Sequence, residues 1–152
     1  MKNEILYLLF GLGVAYPAKL KAQNTDIPQF SHSTIFVTDL KTAVDFYTNI
    51  IQLPVIPEPF HDGRHVWFKV GPHSQIHVVS GATSRIAHDI NIHMAFSVAS
   101  VDRFIQHLDA VGQKYGNWNI SAKSIQLRPD GIKQIYLQDP DGYWIEINDD
   151  VK

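Results

Sequence analysis

An internal repeat of about 60 residues constrains the fold of this chain more than any other feature. Each copy reads as a strand, an amphipathic helix and about three further strands, over residues 30–80 and again over 91–149. With His32 set against His93, hydrophobic residues of the first strand and helix coincide: Ile35 with Phe96, Val37 with Val98, Leu40 with Val101 and Val44 with Ile105. Two copies of this length predict one pseudo-symmetric domain, because each copy alone would leave a sheet face and a helix face uncovered.

The composition excludes several classes of protein. A chain of 152 residues can bury a real core as one domain. Its formal net charge of −2 gives no electrostatic footprint for nucleic acid or an anionic membrane, so we expect neither partner. The chain has no cysteine, which excludes disulfides, thiolate sites and lipid-modified cysteines.

The N-terminal segment has the pattern of a signal peptide. Lys2 precedes an apolar run over residues 5–16, which is too short to span a bilayer but suits a signal-peptide core. Cleavage is expected between Ala22 and Gln23. We therefore predict that residues 1–22 direct export to the periplasm or the extracellular space. The alternative is an N-terminal extension on a cytoplasmic protein.

Four polar residues occupy matching positions in the two copies. His32 and His93 begin the first strand of each copy, and His77 and Glu146 lie within the last strand. Their apolar neighbours alternate onto the opposite face, so the four polar groups share one face of the sheet. If the copies pair about a local two-fold axis, that face curves around a cavity. Because a mid-strand carboxylate is costly to bury unpaired, we predict that these three imidazoles and one carboxylate bind a divalent metal ion such as Zn²⁺, Fe²⁺, Ni²⁺ or Mn²⁺.

Four further residues are candidates for contacts with a small-molecule substrate: Arg64, Trp67, Trp118 and Tyr136. Each also has a structural interpretation. The three aromatic residues could pack in the core. Arg64, beside a turn, could be solvated.

Two sequence phrases resemble the vicinal oxygen chelate superfamily. They are Asp39-Leu-x-x-Ala43-x-x-Phe46-Tyr47 in the first helix and Asp139-Pro-Asp-Gly-Tyr-Trp-Ile-Glu146 before the last strand. The resemblance extends over residues 30–149. The superfamily includes glyoxalase I, fosfomycin-resistance thiol transferases, extradiol dioxygenases, methylmalonyl-CoA epimerase and bleomycin-binding proteins.

The resemblance implies an α+β fold in which two paired βαβββ modules form a cupped, eight-stranded mixed sheet around a metal. Metal ligands of the family begin the first strand and lie on the last strand of each module, which here are His32, His77, His93 and Glu146. His77 stands where bacterial glyoxalase I has a glutamate. A homodimer is also expected, with the cup closed within one chain or by modules exchanged between two.

The function implied by the resemblance is that of a glyoxalase I-like lyase or isomerase. Two adjacent oxygens of a small substrate would chelate the metal, and Glu146 would serve as both ligand and catalytic base. The first alternative is an Fe(II) extradiol-type dioxygenase that uses His32, His93 and Glu146 as a two-histidine, one-carboxylate set. The second is a non-catalytic binding or resistance protein.

Overall fold

The computed structural model describes residues 27–151, which form two successive βαβββ modules. The first consists of β1 (His32–Val37), α1 (Leu40–Asn49), β2 (Val55–Ile56), β3 (His65–Lys69) and β4 (Gln75–Ser80). The second consists of β5 (His93–Ser97), α2 (Val101–Val111), β6 (Gln126–Leu127), β7 (Lys133–Gln138) and β8 (Trp144–Asn148). The predicted signal peptide, residues 1–22, lies outside the described residues. Within residues 27–151, no helix is long and apolar enough to cross a bilayer.

Each module builds a mixed four-stranded sheet with the same strand order. The orders are β1-β4-β3-β2 and β5-β8-β7-β6. The first and last strands of each module run parallel, and the other neighbouring strands are antiparallel. The predicted α+β class and its paired βαβββ modules are confirmed, with the eight strands divided between two four-stranded sheets.

Both helices begin at a capping side chain. Asp39 accepts the backbone N–H three positions further on at 2.7 Å, and hydrogen bonds from that residue hold the pKa of the Asp39 carboxyl below its usual range. Ser100 caps α2 in the same way at 3.3 Å. α2 ends at Gly112, whose φ of 72° is the left-handed conformation that glycine adopts most easily. The caps fix where each helix starts relative to the strand before it.

One hydrophobic core joins the two modules. It takes alternate residues from the inner strands and one stripe from each helix, and its fully buried members include Ile35, Val37, Tyr47, Phe68, Val78, Val101, Leu108, Ile135, Leu137, Ile145 and Ile147. The alternation predicted for β8 is therefore correct, since the residues on either side of Glu146 point into the core. Because both sheets contribute their inner faces to the same core, the polar face of each sheet lies on the side away from it.

The turn at residues 139–142 joins the second module to the first. The Tyr47 hydroxyl on α1 donates to Asp139 Oδ2 at 2.9 Å. Thr38, just after β1, donates its N–H and its hydroxyl to Asp141 Oδ1 at 2.8 and 2.7 Å. Burial raises the pKa of the Asp139 carboxyl, while N–H groups from Asp141 and Tyr143 and the Tyr47 hydroxyl oppose that rise. The turn that leads into β8 is thus fixed by bonds to the other module.

Candidate functional site

The strand register repeats from one module to the other. His77 on β4 lies opposite Trp67 on β3, and Glu146 on β8 lies opposite Tyr136 on β7. In each module, the first residue of the first strand pairs with the residue two positions before the predicted ligand on the last strand. The repeat alignment inferred from the sequence is therefore confirmed. It also makes Trp67 and Tyr136 equivalent, each beside a predicted ligand.

The four predicted metal ligands form two pairs, one on each sheet. The rings of His32 and His77 have centroids 4.1 Å apart, and His93 Nε2 lies 3.4 Å from Glu146 Oε2. Among residues 27–151, no group of three or more histidine or acidic side chains lies close enough to hold a metal ion. The two pairs do not meet within the described part of one chain, so metal binding by all four residues together stays a prediction.

Glu146 is a buried carboxylate with a partner at each oxygen. Its residue is 7% exposed. The Tyr136 hydroxyl donates to Glu146 Oε2 at 2.6 Å, and the Asn148 side-chain amide donates to Oε1 at 2.7 Å. Gln134 in turn donates to the Tyr136 hydroxyl at 2.8 Å. Burial, and then the bond to Glu146, raise the pKa of the Tyr136 phenol well above its usual value, so the hydroxyl remains a donor.

The backbone holds His93 so that one ring nitrogen faces Glu146. Its Nδ1 lies 2.8 Å from the Ile90 carbonyl oxygen, and because a carbonyl only accepts, Nδ1 carries the proton. Nε2, the other ring nitrogen, lies on the Glu146 side, 3.4 Å from Glu146 Oε2. Trp118 and Tyr136 contact the His93 ring edge to face, with centroids 6.2 and 5.4 Å away. These two aromatic residues wall the site.

The two predicted ligands of the first module, His32 and His77, form a stack of three rings with Trp67. Trp67 and His77 are parallel within 1° at 3.8 Å, and His32 covers the other side of His77 at 4.1 Å and 11°. His77 Nε2 lies 2.9 Å from Gln75 Oε1. Burial, and then the nearby His32, lower the pKa of His77, which favours a neutral ring. Parallel stacked imidazoles direct their in-plane lone pairs side by side, so one ring must rotate before both could bind one ion.

Arg64 and Trp67, two other predicted substrate contacts, differ in their hydrogen bonding. The Arg64 guanidinium donates to the Ser80 carbonyl, with Nη2 at 3.0 Å. Trp67 Nε1 is buried and has no hydrogen-bond partner among the described residues. Substrate binding by Arg64, Trp67, Trp118 and Tyr136 stays a prediction.

The donor atoms of the second-module pair suit a divalent metal ion. A neutral imidazole nitrogen and a carboxylate oxygen are common ligands of Zn²⁺, Ni²⁺, Fe²⁺ and Mn²⁺. The bond from His93 Nδ1 to a carbonyl, and the bonds from Tyr136 and Asn148 to Glu146, are the outer contacts that orient such ligands in metal sites. The residues therefore fit a metal, although two donors alone do not complete a site.

Sequence comparison identifies the class of protein that carries this fold. Residues 29–147 match the model of the Glyoxalase/Bleomycin resistance protein/Dioxygenase superfamily. The chain belongs to this superfamily, as the motif from Asp139 to Glu146 indicates.

Several solved structures resemble the chain. A glyoxalase-family protein from Bacillus anthracis is 26% identical, with a TM-score of 0.65 over 83% of this chain and 98% of that chain. Oxidase ChaP-H2 is 21% identical, with a TM-score of 0.66 over 80% and 93%. The fosfomycin resistance protein FosX from Mesorhizobium loti is 19% identical, with a TM-score of 0.61 over 82% and 94%. These names cover different chemistries, so the likeness establishes the fold and not a reaction.

Sequence reasoning missed the residues that hold the predicted ligands. The alternation of β8 could have identified Asn148, because this residue lies two positions from Glu146 and therefore on the same face of the strand. Gln134 stands in the same relation to Tyr136 on β7. The contact of His93 with the Ile90 carbonyl could not be predicted from the sequence, because every residue type has a backbone carbonyl.

Proposed function

We propose that this protein is a metal-dependent, glyoxalase I-like lyase or isomerase that acts on a small substrate with two adjacent oxygens. The observation that carries the proposal is the Glu146 carboxylate, which is buried, accepts hydrogen bonds from Tyr136 and Asn148, and lies 3.4 Å from His93 Nε2. Burying a carboxylate is costly without compensating contacts. This arrangement places the Glu146 carboxylate beside an imidazole nitrogen, so that one metal ion could contact both. Glyoxalases are one of the classes that the name of the matching superfamily includes.

The complete metal site would be shared between two subunits of a homodimer. Each chain carries a His32–His77 pair and a His93–Glu146 pair that do not meet. A two-fold dimer that places the first-module face of one chain against the second-module face of its partner would assemble two equivalent four-ligand sites. The first-module face also exposes large apolar groups that a partner could cover, with Phe36 47% and Phe60 58% exposed.

The metal ion, Glu146 and the two residues bonded to Glu146 would have distinct roles in the proposed reaction. When bound, the metal ion would act as a Lewis acid toward the two substrate oxygens. Tyr136 and Asn148 fix both oxygens of Glu146, so this carboxylate is first of all an oriented ligand. To act as a base, Glu146 would have to open its bond to Tyr136 before Oε2 could take a proton from substrate carbon.

Subunit mixing tests the shared site. His32→Ala and Glu146→Ala homodimers each lack an intact site, but a mixed dimer regains one, built from His32 and His77 of the Glu146→Ala chain and His93 and Glu146 of the His32→Ala chain. After unfolding and refolding together, about a quarter of the sites should bind Zn²⁺ again, since half of randomly formed dimers are mixed. A site built within one chain would gain nothing on mixing. Mixing two differently tagged His32→Ala samples is the control.

Turnover is tested with the metal-loaded wild type. Protein reconstituted separately with Zn²⁺, Ni²⁺, Fe²⁺ or Mn²⁺ would be assayed on methylglyoxal–thiol adducts, catechols and epoxides. Glu146→Gln protein that still binds metal should lose exchange of the substrate C–H proton. Full activity in that variant would remove the base role from Glu146. Protein that binds none of these metals would instead indicate a non-catalytic binding protein.

An Fe(II) extradiol-type dioxygenase is the second candidate. One observation favours it: His77 is held between Trp67 and His32 and bonded to Gln75, which leaves His32, His93 and Glu146 as a two-histidine, one-carboxylate set. Oxygen consumption by the Fe(II) protein on addition of catechol would support it. His77→Ala should leave that activity in place, whereas a four-ligand site should lose metal affinity.

We also retain the proposal that residues 1–22 are a signal peptide. Expression of the whole chain in a bacterium, followed by mass spectrometry of the periplasmic and cytoplasmic fractions, tests it. A periplasmic product starting at Gln23 is expected. Full-length cytoplasmic protein would contradict the proposal.

A further inference from the structure

A cavity of about 570 Å³ lies between the end of α2, residues 112–123 and the outer edge of β7, and shares Tyr136 with the candidate metal site. Its lining includes Tyr115, Ile120, Tyr136, Leu137 and Trp144. Cavities that bind small organic molecules fall in this range of volumes and are lined mainly by such side chains. None of the four predicted metal ligands lines it.

The loop that forms one wall of this cavity is firmly built. Gly116 exchanges two backbone hydrogen bonds with Tyr136 on β7, at 2.9 and 2.8 Å. Asn117 Oδ1 accepts the N–H groups of two later loop residues at 3.0 Å each. A Cβ at Gly116 would lie 2.7 Å from the Ser121 carbonyl oxygen, so the loop closes on glycine and tolerates nothing larger. The cavity is therefore preformed.

Ile120 stands at the cavity in an unfavourable conformation. Its φ is 60°, in the left-handed region that β-branched residues rarely adopt, and it is 65% exposed, so core burial does not compensate. Lys123, another lining residue, also has a positive φ of 54°. Residues held in sparsely populated conformations concentrate at ligand clamps.

The charges at the cavity indicate the kind of ligand. Three charged residues line it: Asp109, Lys114 and Lys123. Lys123 Nζ bonds Asp109 Oδ1 at 2.9 Å, and these two charges offset each other. The Lys114 side chain has no acidic partner within residues 27–151, which leaves one uncompensated positive charge beside apolar walls. We propose that the cavity binds a small aromatic molecule with a single anionic group, the ring lying against the apolar lining and the anion near Lys114.

The test uses the whole chain and 1-naphthoate as the probe, with binding measured by isothermal titration calorimetry. The wild type should bind one equivalent per chain, and the uncharged 1-naphthalenemethanol should bind about tenfold more weakly. Lys114→Gln should weaken naphthoate binding by about the same factor. Ala122→Trp, which fills the cavity from its lining, should abolish binding.

Two matched variants place the same changes elsewhere. Lys69→Gln removes a lysine from β3, and Ala87→Trp adds an indole to the loop between the modules; both should bind as the wild type does. The proposal is overturned if naphthoate shows no saturable binding at about 1 mM, or if Lys114→Gln binds it with unchanged affinity. It is also overturned if folded Ala122→Trp protein, checked by circular dichroism, still binds the probe.

Discussion

The Tyr136 hydroxyl donates a 2.6 Å hydrogen bond to Glu146 Oε2 and accepts one from Gln134 at 2.8 Å. A phenol in this position serves as the donor that keeps one carboxylate oxygen oriented. The equivalent residue of the first module, Trp67, stacks flat on His77. The two halves of the proposed site are thus held by different forces, a hydrogen-bond chain in one and ring stacking in the other.

Removing the Tyr136 hydroxyl should weaken metal binding. Tyr136→Phe keeps the ring but leaves Glu146 Oε2 without its donor. Loss of such an outer contact typically lowers metal affinity by about tenfold or more. Calorimetric titration of Zn²⁺ into the protein measures the change. Tyr115→Phe, a buried tyrosine away from Glu146, should bind as the wild type does, and equal affinities for all three proteins would contradict the orienting role.

Tyr47→Phe should destabilise the fold without affecting the site. The change removes the only hydroxyl bonded to the buried Asp139 Oδ2 in the described structure. An unsatisfied buried acceptor costs about 1–3 kcal/mol, so the free energy of unfolding in urea should fall by that amount. Zn²⁺ affinity should stay unchanged, because Tyr47 lies on the core side of α1. A loss of affinity with unaltered stability would be the opposite of this expectation.

Asp139 should give the stability a specific pH dependence. Burial raises the pKa of its carboxyl above the ordinary value of 3.8, so between these two values the folded state holds more protons than the unfolded state. The contribution of Asp139 is therefore complete below pH 3.8 and is lost as pH rises through the folded pKa.

Comparison with Asp139→Asn measures this dependence. Over the same window, the free energy of unfolding of the wild type should fall relative to that of the variant, because the amide does not titrate. Urea denaturation of both proteins across the acidic range provides the two curves. Parallel curves would show that the carboxyl has equal pKa values in the two states.

Relieving the backbone at position 120 should stabilise the protein. Ile120→Gly removes the steric penalty of a left-handed φ, about 1–2 kcal/mol, against a smaller entropic cost of glycine. We expect the free energy of unfolding to rise by about 1 kcal/mol, measured by urea denaturation. Ile125→Gly is the control: that isoleucine is partly exposed and has no positive φ, so glycine there should destabilise. A loss of stability in both variants would mean that Ile120 is not strained.

The sequence predicts which residues share a face better than it predicts how the faces are arranged. Alternation within β8 is local and correctly places Ile145 and Ile147 in the core, with Glu146 opposite. The repeat alignment correctly equates His77 with Glu146. Whether the two sheets present their polar faces to each other depends on long-range packing, which no periodicity encodes. For that reason the sequence leaves open whether the four ligands meet within one chain or between two, and in the described part of one chain they form two separate pairs.

The partners of the site residues were only partly predictable. Asn148 follows Glu146 by two positions and so had to lie beside it on the sheet. The stack of Trp67 on His77 required the register of β3 against β4, which the turn between them sets. Tyr136 was predicted as a substrate contact, and only the register of β7 reveals its bond to Glu146.

The hydrogen bonds between the turn at residues 139–142 and the first module have a consequence for how the chain folds. This turn starts the strand that carries Glu146, yet its carboxylates are bonded to Tyr47 and Thr38 of the other module. A module expressed alone would bury half a core and leave those groups without partners. The duplicated sequence therefore constitutes a single cooperative folding unit, and melting should show one transition in which both halves are lost together.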